Sequence, residues 1–357
     1  MATPTHDEAH AVTDVYLSDL EARLKTEYAK ASKEAKAKLD DYLRRFRAKD
    51  EVWRKRLAAG EVTAQEYRQW RTGQMIVGRH WLNVRDELAR DLHETDKIAR
   101  AIIDGEIPVI YALNRNFAAF SVEHDGMVDT SAYIYVPEAV AHIMRDDPDL
   151  LPPPGRRMKK AIAEGKALQW GRQQVQSCVM QSILLGDSIP HMAERVSDTL
   201  GARSLGDAVR YARTATTGAE NRGRYDAYRR AEKMGVNLTL EWAATLDQRT
   251  RTSHRHMHGQ RTTVDKPFVV DGQEILYPGD PKAPQHQIWN CRCTILSWVK
   301  GHERATRRES SGMGGLSFEE WLKAKPIYNP QDLPVKKAEA IKGAYIAEYK
   351  KARARLG

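Results

Sequence analysis

Between Trp242 and Trp298 the chain gathers Asp247, Arg249, Arg251, His254, His256, His258, Cys291 and Cys293, residue types that bind metals, hold phosphates or carry protons. Two of the three cysteines in the sequence lie in this stretch. The segment LDQRTRTSHRHMHG reads as a short helix closed by Gly259, because a glycine just past the last helical residue tolerates the left-handed conformation. On such a helix Asp247, Arg251, His254 and His258 fall in one row, since a 3.6-residue period stacks positions i, i+4, i+7 and i+11. Downstream, NCRCTILSW alternates as a strand does, which sends Cys291 and Cys293 to one face and Arg292 to the other. Folding back brings both thiols to the histidine row. Between these segments, PFVV and QEILYP flank Asp271-Gly272 and read as a hairpin around a tight turn.

Three chemistries compete for this constellation. A structural zinc ion takes four nitrogen or sulfur ligands in a closed tetrahedron. Cys291, Cys293 and His254 supply three, and His258, with His256 or Asp247 as alternatives, supplies the fourth. Cys-x-Cys is not the paired CxxC of a zinc ribbon, so a metal-free core stands beside this reading. In that core the cysteines are small buried apolar groups, Asp247 caps a helix and pairs with Arg251 or Arg249, and His254 donates to a backbone carbonyl. The third reading is a metal-dependent nuclease or phosphotransferase, which needs an open coordination position and more carboxylates than Asp247. Glu241, Asp265 and Glu274 have no distinctive spacing. The expectation is therefore a protein without catalytic residues.

The elements that must position the cluster are mainly helices, and the expected fold class is α+β, mainly α. From Val12 to about Asp104 the pattern is one of long amphipathic helices, with Leu17, Leu20, Leu24 and Tyr28, then Leu39, Leu43 and Phe46, at helical spacing. Gly60 interrupts the run, and Thr63 with Glu66 has capping-box spacing for a helix carrying Tyr67 and Trp70, with Trp81 beyond, towards a core. AAFSVEH and SAYIYV around Asp125-Gly126 read as a small β element. Pro152 to Pro154 can neither continue a helix nor donate to a sheet, so the break between parts is expected there. Helices resume after Met158: one with Val175, Val179, Ile183 and Leu184 on its core face and a stop at Gly186, a second capped by Asp187 or Ser188 with Met192, Val196 and Leu200, and a third ending at Gly235. A Gly- and Ser-rich connection from Ser310 to Gly315, the short FEEWLKA segment and a basic helix from Lys336 to Arg355 follow. The expected division is residues 1–150 as a helical arm or adaptor, 156–300 as a helical and hairpin module, and 301–357 as linker and basic helix.

Composition narrows the class further. The 357 residues are 41% hydrophobic and 29% charged, enough for two compact units with a polar surface. No apolar run approaches the roughly 20 residues of a spanning helix, and the N-terminal MATPTHDEAHAVTDVYL lacks the basic start and apolar core of a secretory signal. Cytoplasmic synthesis is expected. Three cysteines do not make a disulfide framework, which fits a reducing compartment. The formal net charge of +9 favours a polyanion without identifying one. The plain reading of the basic segments is solvated helix faces. The sharper one is a phosphate-binding face of Arg222, Arg224, Arg229 and Arg230 that contacts DNA without sequence preference.

The ordered segments ARTATTGAENRGRYDAY, WAATLDQRTRTSHRHMHG, PGDP and NCRCT resemble the phage Mu F-like head morphogenesis family, the minor head or minor capsid proteins of tailed bacteriophages. The family's motif positions fall on Asp247, Thr250, Arg251, His254, Gly259, Asn290, Cys291 and Cys293. The chain departs from relatives that have cysteine where it has Arg251 and His254. IYALNRNFAAFSVEH and VQSCVMQSILLGDSIPHMAERV look like the helical half of such proteins. The resemblance implies a non-enzymatic structural protein of the virion, incorporated at low copy in the prohead and associated with the portal vertex or head interior. It implies action in head morphogenesis, with a part in genome packaging or ejection. The partners it implies are the portal protein, a major capsid or scaffold protein and the packaged DNA, with assembly in the host bacterial cytoplasm. A toxin-related enzyme is the alternative, since the Mu F-like module precedes a toxin domain in some proteins.

Overall fold

Residues Leu24, Tyr28, Leu39, Leu43 and Phe46, spaced at three, four or eleven, are all buried along one face of helix α1 (Glu8–Ala58). The description comes from a computed structural model and covers residues 8–76, 78–147, 150, 166–184, 189–301, 316–329 and 333–356. The break expected at Pro152 to Pro154, the stop and caps at Gly186, Asp187 and Ser188, and the connection from Ser310 to Gly315 lie outside these residues. So do the side chains of Ile183, Leu184, Met192 and Leu200. The chain forms two compact units, one of Met1–Leu20, Ile103–Pro153 and Arg210–Gly357, the other of Glu21–Ile102 and Pro154–Val209.

The second of these units is helical. It contains the greater part of α1, α2 (Ala64–Ile76), the first half of α3 (Arg79–Gly126), α5 (Lys166–Leu184) and the start of α6 (Ile189–Lys233). Its core joins Leu39, Tyr42, Leu43 and Phe46 to Trp81, Leu88, Val175, Val179 and Val196. The turn before α2 is made by Gly60 at φ +73°, and the expected capping box is present: Thr63 Oγ1 accepts from Glu66 N at 3.2 Å while Thr63 N donates to Glu66 Oε2 at 2.7 Å. Trp70 then stacks between Trp53 and Phe46, with ring centroids 4.8 and 5.8 Å away.

The other unit is α+β and carries the cluster. Strand β1 (Leu238–Ala243) is the centre of a three-stranded antiparallel sheet, with β2 (Arg261–Thr263) on one side and β5 (Thr294–Val299) on the other. In the register Leu240 faces Thr262 and Ser297, and Trp242 faces Ile295. The expected hairpin forms from β3 (Phe268–Val270) and β4 (Gln273–Ile275). Its turn residues Asp271 and Gly272 both have positive φ, +50° and +76°, as a two-residue hairpin loop of the primed type requires. Between β1 and β2 lies the one-and-a-half-turn α7 (Thr252–Met257), and before β5 the single turn α8 (Gln285–Ile288). Helices α4 (Pro137–Asp146), α9 (Phe318–Ala324) and α10 (Val335–Arg353) complete the unit.

Two expectations change here. The small β element at AAFSVEH and SAYIYV is not formed. Helix α3 continues to Gly126, because Ile103, Ile107, Ile110, Phe117, Ala118 and Val122 bury at helical spacing, and that tertiary face outweighs the local β propensity. What remains is one parallel bridge, Ile134 to Ile327. The backbone of Tyr135 pairs instead with a side chain: Asn116 Nδ2 donates to its carbonyl at 2.8 Å and Asn116 Oδ1 accepts from its N–H at 2.8 Å. Similarly, the two helices expected between Met192 and Gly235 are one continuous α6.

Packing of α3 on α6 leaves no room at Gly223. A Cβ there would stand 2.5 Å from the carbonyl oxygen of Tyr111 and 3.1 Å from Arg115 N, both backbone atoms. Nearby Tyr111 Oη donates to Asp226 Oδ2 at 2.6 Å, which fixes the same pair of helices. Gly223→Ala is therefore expected to destabilise the unit by about 1–3 kcal/mol, the usual range for overpacking. Urea denaturation followed by circular dichroism measures this; an unchanged midpoint would contradict the close approach.

Candidate functional site

The site is built from α6 outwards. Thr214, Thr217 and Asn221 lie three and four residues apart, on one side of that helix. Thr214 Oγ1 accepts from Asn290 N at 3.2 Å, Thr217 Oγ1 donates to the carbonyl of Cys291, and Asn221 Nδ2 donates to the carbonyl of Cys293 at 2.9 Å. Asn221 Oδ1 also accepts from Ile295 N at 2.8 Å, which carries the grip into β5. Asn290 has φ +51°, so the chain reverses there and enters the cysteine loop. The strand expected over NCRCTILSW begins only at Thr294, because the backbone of the preceding residues is held by helix side chains rather than by a neighbouring strand.

Within this loop the two thiols converge on one nitrogen. Cys291 Sγ lies 3.5 Å and Cys293 Sγ 3.4 Å from His254 Nδ1. All three side chains are buried, each about 2% exposed. Cys293 N also donates to Cys291 Sγ at 3.4 Å. The opposite ring atom, His254 Nε2, pairs with Gln287 Oε1 at 3.0 Å, and Gln287 Nε2 donates to Asp271 Oδ2 at 3.2 Å. The hairpin turn thus orients the histidine through one amide. The Trp242 ring meets His254 edge-on at 5.5 Å and Phe268 edge-on at 5.4 Å, closing the apolar wall.

The surroundings set the charge states. The Cys293 thiol, and after it His254, hold Cys291 well below the usual thiol range in spite of burial. Cys293 is pushed up by its contact with Cys291 and by burial. Burial acts against the imidazolium of His254, yet its contact with Cys291 turns the balance and raises it.

The histidine row of the sequence reading is not formed. Helix α7 spans only Thr252–Met257, with Arg251 at its N-cap and His258 already extended at its C-cap. The chain before it is a turn closed by Asp247, whose Oδ1 accepts from Arg249 N at 2.9 Å and from Thr250 Oγ1 at 3.1 Å. Of the expected ligands only His254, Cys291 and Cys293 come within 4.8 Å of one another among the described residues. His258 Nδ1 accepts from Ala244 N at 3.2 Å, and His256 is exposed. Asp247 neither joins the cluster nor caps α7. Arg292 binds it with both terminal nitrogens, at 2.6 and 2.7 Å, and this hydrogen bonding holds its carboxyl well below the usual range. Arg249 is a looser partner at 3.7 Å, while Arg251 donates to the carbonyl of Trp289. The remaining motif positions are conformational: Thr250 Oγ1 donates to the carbonyl of Thr245, and Gly259, at φ +80°, donates its N–H to the carbonyl of Trp242.

The arginine face expected for DNA is also rearranged. Arg224 is 1% exposed and donates to Asn114 Oδ1 at 3.0 and 2.9 Å, with Glu220 3.6 Å away. Arg222 pairs with Asp226 at 2.9 Å, and Arg230 donates to the carbonyl of Ser131 at 3.2 Å. Only Arg229 of the four is exposed. Helical periodicity explains this: a helix packed on several sides cannot keep four arginines within nine residues in water. In the basic C-terminal segment Lys350 pairs with Glu319, Arg353 with Glu8 and Arg355 with Asp19.

Gln287, Arg292, Thr217, Asn221 and Trp242 were not among the expected site residues. The signal for two of them is visible afterwards in TATTGAEN, where small polar residues recur at helical spacing on a helix otherwise rich in alanine.

An α+β module whose cysteines and central histidine face its own interior, clamped by polar side chains of a long helix, is the class this geometry defines. Residues 173–296 match the family described as Phage Mu protein F like protein. Over 158 residues the chain is 30% identical to Minor head protein GP7 of Bacillus phage SPP1, covering 41% of this chain and 49% of that protein. Over 173 residues it is 28% identical to NAD(+)–arginine ADP-ribosyltransferase EFV of Enterococcus faecalis, covering 48% of this chain and 35% of that protein. The chain thus spans about half and about a third of the length of these curated relatives. No solved structure matches it.

Two outcomes are expected from the helix side of the site. Asn221→Ala strands the Cys293 carbonyl and the Ile295 N–H in the core and should cost about 1–3 kcal/mol; the unfolding midpoint checks this. The neighbouring Glu220 is buried, and burial opposes its charge, but His10 at 2.8 Å and then Arg224 outweigh it, so its pKa is lowered. A carboxylate with a folded pKa below its unfolded value stabilises fully above the unfolded value, and that contribution disappears as pH falls through the folded one. Wild type should therefore exceed Glu220→Gln in stability near neutral pH, with the gap closing in acid below about pH 4. A gap that widens in acid would reverse the assignment.

Proposed function

We propose that this chain is a minor head protein of a tailed phage, a low-copy structural component of the prohead that acts in head morphogenesis. The observation that carries the reading is the Mu F-like segment at residues 173–296, supported by the similarity to Minor head protein GP7. The proposed location is the head interior or portal vertex, after assembly in the host cytoplasm. The proposed partners are the portal protein and a major capsid or scaffold protein. A part in genome packaging or ejection belongs to the same proposal. Contact with packaged DNA would be non-specific and would have to use surfaces other than the expected arginine face, since Arg224 is buried and Arg222 and Arg230 are engaged within the chain. No helix among the described residues is long and apolar enough to cross a membrane.

The buried setting of the histidine and cysteines agrees with an architectural task, because catalysis needs groups that reach a substrate. A second reading follows from the likeness to the ADP-ribosyltransferase, which is transferase chemistry of that protein and extends over about a third of it. Two measurements separate the readings. Mass spectrometry of purified proheads and virions should find the full chain at far fewer copies than the major capsid protein; its absence from both particles would end the structural proposal. Incubation with labelled NAD and an arginine-rich protein should transfer no label, and transfer would establish the enzymatic reading.

A further inference from the structure

We propose that Cys291 Sγ, Cys293 Sγ and His254 Nδ1 bind one thiolate-preferring metal ion of the zinc class, and that Gln287 is the positioning residue that aims the histidine at it. A tetrahedral zinc centre with Zn–S of about 2.3 Å and Zn–N of about 2.0–2.1 Å separates a sulfur ligand from a nitrogen ligand by about 3.5–3.6 Å. The observed separations, 3.5 and 3.4 Å from the same Nδ1, are the edges of such a tetrahedron. The sulfur atoms and the nitrogen lie within 4.8 Å of one another.

Independent support comes from the far side of the ring. A metal-bound histidine donates its other N–H to a fixed acceptor, which sets the tautomer and leaves the lone pair for the metal. Here Gln287 Oε1 stands 3.0 Å from His254 Nε2, and the Gln287 amide is itself anchored on Asp271. Gln287 is 3% exposed, so this relay is built into the core. The acceptor on Nε2 turns Nδ1, as an acceptor, towards both thiols. A thiol pair in an apolar pocket needs neither a shared nitrogen nor a buried amide to orient it.

The buried Trp242 ring, edge-on to His254 at 5.5 Å, closes the apolar wall beside the cluster. Binding takes both sulfurs as thiolates and Nδ1 as a neutral acceptor, releasing whatever protons these three ligands carry, and the cation removes the cost of burying either thiolate charge alone. Two thiolates and one imidazole are soft to borderline ligands, which disfavours magnesium and calcium and suits zinc. Three protein ligands leave one position for a small ligand such as water.

The full chain, purified under reducing conditions, tests the proposal by elemental analysis and by replacement with cobalt(II). The expected result is about one zinc per chain, and a cobalt form with sulfur-to-metal charge-transfer absorption. Cys293→Ser and His254→Ala should lose both signals, while His258→Ala and His256→Ala, outside the cluster, should keep them. Gln287→Ala should weaken metal affinity by about 10–100-fold, the usual effect of losing such a partner. Gln287→Glu, which retains an acceptor oxygen, should recover most of it. Wild type that is folded by circular dichroism, yet takes up neither zinc nor cobalt after reconstitution, would overturn the site. Equal affinity of Gln287→Ala and wild type would overturn the role of Gln287. Particle incorporation is read separately, so failure of the metal site leaves the structural proposal standing.

Discussion

The arrangement around the cysteines depends on one constraint: backbone groups buried between α6 and the sheet must find partners there. Residues 290–293 lie against the helix without a strand to pair with, and an unpaired buried amide or carbonyl costs as much as a lost hydrogen bond. Thr214, Thr217 and Asn221 meet this need from one helix face, and Asn221 satisfies the loop and the start of β5 at once. Because the loop backbone is held, the two thiols have a fixed direction. Their approach to one histidine nitrogen follows from that grip rather than from a regular strand alternation.

Charge is distributed by the same logic. The arginine-rich run on α6 looks like a polyanion surface in one dimension, but its helix is packed on several sides. Arg224 therefore becomes the centre of a buried network with Asn114 and Glu220, and Glu220 reaches His10 at the beginning of the chain. Thr13 joins the same network through Asn114 at 2.8 Å. Such groups orient segments far apart in sequence, and removing one partner leaves another charge unpaired in the core. By contrast Asp247 and Arg292 pair at a half-exposed rim, where the bond organises a turn and contributes less to stability.

What was legible in the sequence, in the fold and in the site, was the part with a local cause. The Asp271-Gly272 turn, the Thr63 capping box, the end of α6 before Gly235 and the helix at Phe318 all arise from residues within a few positions of one another. The readings that changed were those in which distant packing competes with local preference. AAFSVEH has strand-like residues, but Ala118 and Val122 within it are claimed by the core face of α3. The row from Asp247 to His258 has helical spacing, but Asp247 turns its own backbone and the helix contains only Thr252 to Met257.

Residue types, spacing and turn chemistry by themselves determined the mainly helical α+β class, the hairpin and the capped helix start at Thr63. These are consequences of short-range backbone preference and of hydrophobic period. The tertiary structure alone decided which three of the candidate ligands meet, that Gln287 stands behind His254, and that Arg224 is inside. The physical reason is that convergence of side chains depends on how a loop is held against a helix more than seventy residues away, and no local periodicity encodes that distance.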